Sequence, residues 1–431
     1  MMTARIQHIH ARQILDSRGR PTVEADVTLS DGSQGRASVP SGASTGSAEA
    51  HELRDGDTHF YNGLSVLQAV GHVNGVIAQT LSGMDAMDQV AVDQAMVTLD
   101  GTPQLSRLGA NGILAVSIAL ARASATAQGQ ALYERVQAIA GGPALGMPVP
   151  MVNILSGGLH AGRGMDVQDF LAMPVRAQSM ADAVHILSRV RNAATEEARA
   201  RGLPTLLADE GGISPGLASG REALEMMLRL IERAGLQPGQ DVVIAIDVAA
   251  TALQSPGGGY ALQREGRQAS SAQMIEMLAD WVEHYPVVSI EDGLGEEDWT
   301  AWAGLTQRLG HRVQLVGDDL FTTHPQRLEQ GIQSHVANGV LVKANQNGTL
   351  SGTIALIAQA KAAGYATIVS ARSGETEDAF MSDLAVGTGA GQIKIGSLRT
   401  SSTVAKYNQL LRIEEMSGAP YLGLSTLTGR A

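Results

Sequence analysis

Val287-Val288-Ser289-Ile290-Glu291-Asp292-Gly293 decides the fold. An apolar or small run meets two adjacent acids and then a glycine. The run reads as a buried parallel strand, and the acids fall where it must end. A carboxylate there is costly unless a cation or a hydrogen-bond network meets it. Alone, the stretch also reads as a strand followed by a helix N-cap. The pattern recurs, however. Val-Val-Ile-Ala-Ile runs into Asp247, Val-Gln-Leu-Val-Gly into Asp318, Val-Leu-Val into Lys343, Ala-Thr-Ile-Val-Ser towards Arg372, and Gly-Gln-Ile into Lys394. From Asp247 through Glu291 to Lys394 the steps are 44, 27, 25, 29 and 22 residues. A strand, a loop, a helix and a return need about that much chain. The charged residues therefore mark the C-terminal ends of successive βα units. In a closed barrel these ends form one rim, where chemistry sits.

With 431 residues the chain is too long for one small core, and two domains are expected. The net charge of −12 and 3% aromatic content, without a basic run, argue against nucleic-acid binding. There is no cysteine, so disulfides and thiolate metal sites are excluded. No apolar run is read as transmembrane and no signal-peptide core opens the chain, so a cytoplasmic location without membrane association is expected.

Residues 4–30 read as two strands around the turn at 16–21, because Val23, Ala25, Val27 and Leu29 alternate with polar residues. Gln34–Val39 reads as a third strand. The small residues of Pro40–Gly46 suit a mobile loop that approaches a ligand, or a plain surface loop. Apolar spacing is helical over 64–81, 91–99 and the alanine-rich 112–128. The glycines and prolines of 138–150 mark a boundary, giving an α+β domain over 1–137 and a barrel over 144–431. Within the barrel, 149–155 and 167–173 read as strands. Helices are expected at 179–201, 221–234 and 404–416, and Leu206–Gly212 reads as a further strand end with acids. Gly387, Gly389 and Gly391 precede a strand, so they are no dinucleotide fingerprint.

Pro40–Gly46, Ala208–Gly212, Ser289–Leu294, Val316–Leu320, Ser373–Asp378 and Lys406–Glu415 resemble the enolase family, the phosphopyruvate hydratases of glycolysis. The resemblance runs from about Ile14 to Glu415. It implies an N-terminal α+β domain on an eight-stranded α/β barrel of ββαα(βα)6 order, a carbon–oxygen lyase, and a homodimer or homo-octamer. Asp247, Glu291 and Asp318, hard carboxylates from three strand ends, suit Mg2+; the alternative is three acids capping loops. By resemblance a second Mg2+ arrives with the phosphate of the substrate, a small phosphorylated hydroxy acid, and is held partly by Ser44.

Further roles also follow from the resemblance. Lys343 matches the general base, with a salt-bridge partner as its alternative. Nearby cations lower a lysine pKa, as that task requires. Glu210 matches the general acid, beside an Asp209 that reads as structural. Lys394 matches the group that stabilises an enediolate. Arg372 and Ser373 match a phosphate clamp, and His160, Gln168 and Asp169 match substrate contacts, although a lone loop histidine is more often structural.

The departures cluster in the pocket. Ala371 stands where the family has histidine, Asp169 where it has glutamate, and Ser156 where it has asparagine. Ile395, Ala344 and Asn347 also differ from the family. Three readings follow: a working enolase acting on 2-phosphoglycerate; an enolase-like dehydratase of a bulkier ester, such as a carboxyphosphonoenolpyruvate synthase of phosphonate biosynthesis; or an inactive binding protein. The retained Lys343, Glu210 and metal acids argue against the last.

Overall fold

The computed structural model describes residues 4–42 and 46–428. Ser44, the expected ligand of a second metal ion, lies outside the described residues. Three strands, β1 (Ile6–Leu15), β2 (Pro21–Leu29) and β3 (Gln34–Ser38), form an antiparallel sheet in that order. The alternation read from sequence is what buries it: Val23, Ala25, Val27 and Leu29 are fully enclosed. Helix Ala110–Gln128 covers this sheet. The approach is so close that a Cβ on Gly35 would collide with the helix backbone at Ala119 and Ala123. That helix is also long and apolar enough to cross a membrane, which corrects the expectation that no segment reaches that length. However, 83% of its apolar window is buried inside the protein. The expected helix at 64–81 is Leu67–His72, a π-helical stretch Val73–Ile77, and Ala78–Leu81. A helix at Leu132–Ile139 was not foreseen.

The barrel is built from β4 (Val149–Pro150), β5 (Val152–Ser156), β6 (Asp169–Met173), β7 (Val243–Asp247), β10 (Val287–Glu291), β11 (Gln314–Gly317), β12 (Gly339–Val342), β13 (Ala366–Ser370) and β14 (Gly391–Lys394). Between β7 and β10 an unforeseen hairpin, β8 (Tyr260–Leu262) and β9 (Arg267–Ala269), stands apart. The order is β4-β14-β13-β12-β11-β10-β7-β6-β5. β4 and β5 are one run interrupted at Met151, whose N–H donates to the Ile393 carbonyl at 2.8 Å. The two ends of the order are thus the same chain segment, and the sheet closes with eight staves. β6 is antiparallel to both β5 and β7, and the remaining pairs are parallel. Two helices, Met180–Ala200 and Gly220–Arg233, separate β6 from β7, and six strand–helix units follow. This is the ββαα(βα)6 order.

Two readings need correction. Leu206–Gly212 is no strand but a loop with an isolated bridge between Leu207 and Ile213. Its leucines are exposed, Leu206 at 74%, so the apolar run never acquires the two-sided burial of a barrel strand. The strand expected from Val167 starts at Asp169, leaving Gln168 just before it.

Candidate active site

Strand alternation places the site. Val243 and Ala245, Val316, Leu341, Ala366 and Ile368, and Leu171 and Met173 form a separate apolar cluster that fills the barrel interior. Stepping by twos along the same strands reaches Asp247, Asp318, Lys343, Ser370 and Arg372, and Asp169. Period two therefore sends these side chains to the barrel mouth. Register lines them up: Ser156 pairs with Asp169, Asp169 with Asp247, Asp247 with Glu291, and Ser370 with Lys394. Because β6 runs backwards, Asp169 at its start lies level with the ends of its neighbours.

The Lys394 ammonium donates to Asp247 Oδ2 and to both Glu291 oxygens at 2.8 Å. Lys343 Nζ donates to Asp318 Oδ2 at 2.5 Å. Burial disfavours the charge of both lysines, but these acids outweigh it and raise both pKa values, that of Lys394 strongly. This corrects the expectation that nearby cations lower Lys343: Arg372 acts in that direction, but Asp318 is stronger. Glu291 and Asp292 are pushed well above the usual carboxylate range, first by burial and then by neighbouring acids. Asp319 rises to about 7 for the same reasons.

Asp292 accepts hydrogen bonds from the Asp318 and Asp319 amides at 3.0 and 2.8 Å. Carboxylate oxygens of Asp292, Asp318 and Asp319 lie within 4.8 Å of one another. Asp318 thus belongs both to the expected set with Asp247 and Glu291 and to a set that the sequence reading did not foresee. The donors are all carboxylate oxygens and are short of positive charge, which fits a hard divalent cation.

Gln168 donates to Asp247 Oδ2 at 3.1 Å. His160 Nε2 stands 3.3 Å from Asp169 Oδ1. Burial opposes the His160 charge, but Asp169, Glu210 and Asp247 overcome it and hold its pKa at about 10. Ser156 donates to Asp169 Oδ1 at 2.6 Å, and among the described residues nothing donates to Asp169 Oδ2. Glu210 accepts from Asn153 Nδ2 at 3.1 Å. Burial raises the pKa of its carboxyl, so it keeps a proton more readily than a free glutamate. Asp209 is exposed.

On the opposite side Arg372 is clamped to Glu49 at 2.9 and 3.3 Å, and also donates to Asn345. Gln346 links Glu49 to Asp318 and accepts from Thr323. Arg18 donates to Ser373 Oγ at 3.3 Å and to Ser41 Oγ at 2.8 Å. A cavity of about 330 Å³ is lined by His160, Gln168, Glu210, Asp247, Asp318, Lys343, Lys394, Arg372 and Ser373, with Ala371, Arg18 and Arg20. One cavity therefore gathers nearly all the expected site residues. Glu291, Asp169 and Ser156 do not line it: Glu291 is held by Lys394, and Asp169 by Ser156 with His160 at 3.3 Å.

Residues 144–428 match the family model of the enolase C-terminal TIM barrel domain, and residues 6–136 match that of the enolase N-terminal domain. The chain belongs to the enolase family. Several residues of this enolase-family site were missed from sequence: Glu49, Gln346, Asn345, Asn153, Asp292, Asp319, Arg18 and Arg20. Gln346 was within reach, because it lies three residues after a rim lysine. Glu49 was not, because its partner Arg372 lies 323 positions away.

Proposed function

We propose that this enolase-family chain is a Mg2+-dependent lyase that dehydrates 2-phosphoglycerate, or a close phospho or phosphono analogue, to an enolpyruvate ester. The observation that carries this reading is that Lys343, Lys394 and Glu210 line the same cavity as Arg372 and Ser373. Arg372 and Ser373 hold the phosphoryl group. Lys343 takes the proton next to the carboxylate. The electron pair left behind forms the double bond as the 3-hydroxyl departs, and Glu210 donates the proton that makes it water. Lys394 lies where the enediolate charge develops. Asp247, Glu291 and Asp318 would hold Mg2+, which would supply positive charge to balance the enediolate.

A second reading, a bulkier ester as substrate, is favoured by one end of the pocket. Ala371 offers only a methyl group there, and the short Asp169 carboxylate, bonded to Ser156, does not line the cavity. The test is phosphoenolpyruvate formation from 2-phosphoglycerate with and without Mg2+, beside an Ala371→His variant. Mg2+-dependent turnover by the parent supports the first reading. Weak turnover that histidine improves supports the second. No turnover by either protein on any phospho or phosphono ester would overturn both.

A further inference from the structure

Arg372 reaches the cavity with an acid already fixed to it. The arginine is 5% exposed, and its guanidinium donates to Glu49 Oε2 at 2.9 Å and to Oε1 at 3.3 Å. Glu49 is itself buried, and it is not among the residues that line the cavity. A phosphoryl group held by Arg372 would therefore share the guanidinium with a carboxylate that stands outside the cavity wall.

That carboxylate is held by more than the arginine. Oε1 also accepts from the Gly46 amide at 2.8 Å and from Gln346 Nε2 at 3.1 Å. The Gln346 amide is oriented in its turn. Lys343 N–H donates to Thr323 Oγ1 at 2.9 Å, and the Thr323 hydroxyl donates to Gln346 Oε1 at 2.7 Å, which leaves Nε2 to face Glu49. Thr323 keeps this place with φ 49°, in the left-handed region that a β-branched residue rarely adopts. With both oxygens engaged, Glu49 stays beside Arg372 when an anion arrives.

A fixed negative charge this close to an enclosed anion site opposes the anion. The alternative is that Glu49 serves only to make an enclosed arginine tolerable. The phosphoryl group is present in substrate and product alike. Gripping it harder would lower KM without raising kcat, and would hold the product back.

We propose that Glu49 is an internal counter-ion of the phosphoryl clamp. Acting through Arg372, it weakens the grip on a phosphoryl dianion so that substrate and product exchange. This rests on the reading of Arg372 and Ser373 as that clamp.

The test is calorimetric binding of inorganic phosphate by the full chain, at one fixed Mg2+ concentration for every variant. Glu49→Gln removes the charge and should bind phosphate about tenfold more tightly than the parent. Glu49→Asp keeps the charge and should stay within about threefold of the parent. Arg372→Gln should lose the binding. If Glu49→Gln is less stable, the rise of its melting temperature with phosphate gives the same comparison. Affinity in Glu49→Gln equal to the parent's or weaker overturns the counter-ion and leaves the clamp standing, with Glu49 a structural partner of the arginine. Glu49→Asp binding as tightly as Glu49→Gln would trace the gain to lost hydrogen bonds and overturn it too. If neither the parent nor Glu49→Gln binds phosphate, or Arg372→Gln binds it as the parent does, the clamp reading falls and this inference falls with it.

Discussion

Two groups of enclosed charges in this molecule behave in opposite ways. At the seam between the N-terminal helix and the barrel, the charges pair off. Arg122, on helix Ala110–Gln128, donates to both Asp378 oxygens at 2.6 Å, and beside this seam, within the barrel domain, Lys406 pairs with Glu375 at 3.0 Å. Asp378 also accepts from the Ser38 and Phe380 amides. At the rim, among the described residues, the ion pairs made by the seven acids Asp169, Glu210, Asp247, Glu291, Asp292, Asp318 and Asp319 are with three cations, Lys343, Lys394 and His160. Burying unbalanced charge opposes folding. The seam needs no ligand to be satisfied. The rim needs positive charge from outside: burial opposes the charge of its acids and raises Glu210, Glu291, Asp292 and Asp319, while His160 and Lys343 overcome it for Asp169 and Asp318 and hold those two down.

The strongest way to break this comparison is at Lys343. Lys343→Ala should lower turnover by roughly 10²–10⁴-fold with unchanged circular dichroism. Turnover surviving at parental level would remove Lys343 as the base and leave it a salt-bridge partner.

The seam should respond in stability instead. Arg122→Met should cost about 2 kcal/mol in urea unfolding, discounted because a quarter of the arginine side chain is exposed. A midpoint unchanged from the parent would show that solvent already screens the pair.

Metal should act on the rim alone. Mg2+ at a hundred times its Kd should stabilise the parent by about 2.7 kcal/mol, read as a rise in melting temperature. Glu291→Gln should abolish the rise if the expected set of acids holds the ion. Asp319→Asn should abolish it if the unforeseen set does. A rise retained by both variants would place the cation elsewhere.

The smallest effect tests a buried acid near the seam whose pKa is raised. Asp383 is buried beside Gln409, Arg122 and Asp378, and burial raises its pKa to about 7. An acid raised in the folded state favours folding below its unfolded value of 3.8, and that contribution is lost as pH rises through 7. Asp383→Asn should therefore gain melting temperature over the parent progressively between pH 4 and 8. A difference independent of pH would mean that Asp383 ionises freely.

Much of this was legible because strands and rims obey simple periods. Strand ends at near-regular intervals identified the barrel, and the same period of two carried Asp247, Asp318, Lys343 and Lys394 to one mouth. Misreadings came where an apolar run had no burial to explain it. Leu206–Leu207 looks like a strand in isolation, but nothing covers it. The helix Leu132–Ile139 was passed over because it abuts the glycine- and proline-rich boundary.

The sequence by itself determined the fold class, the rim and the identity of its charged residues, since those follow from local pattern and spacing. Only the tertiary structure decided the partners of those charges. Glu49 reaches Arg372, and Asp292 turns to hold the Asp318 loop. Pairing depends on which distant segments the closed barrel and the docked N-terminal turn bring within a few ångströms, and no local period encodes that.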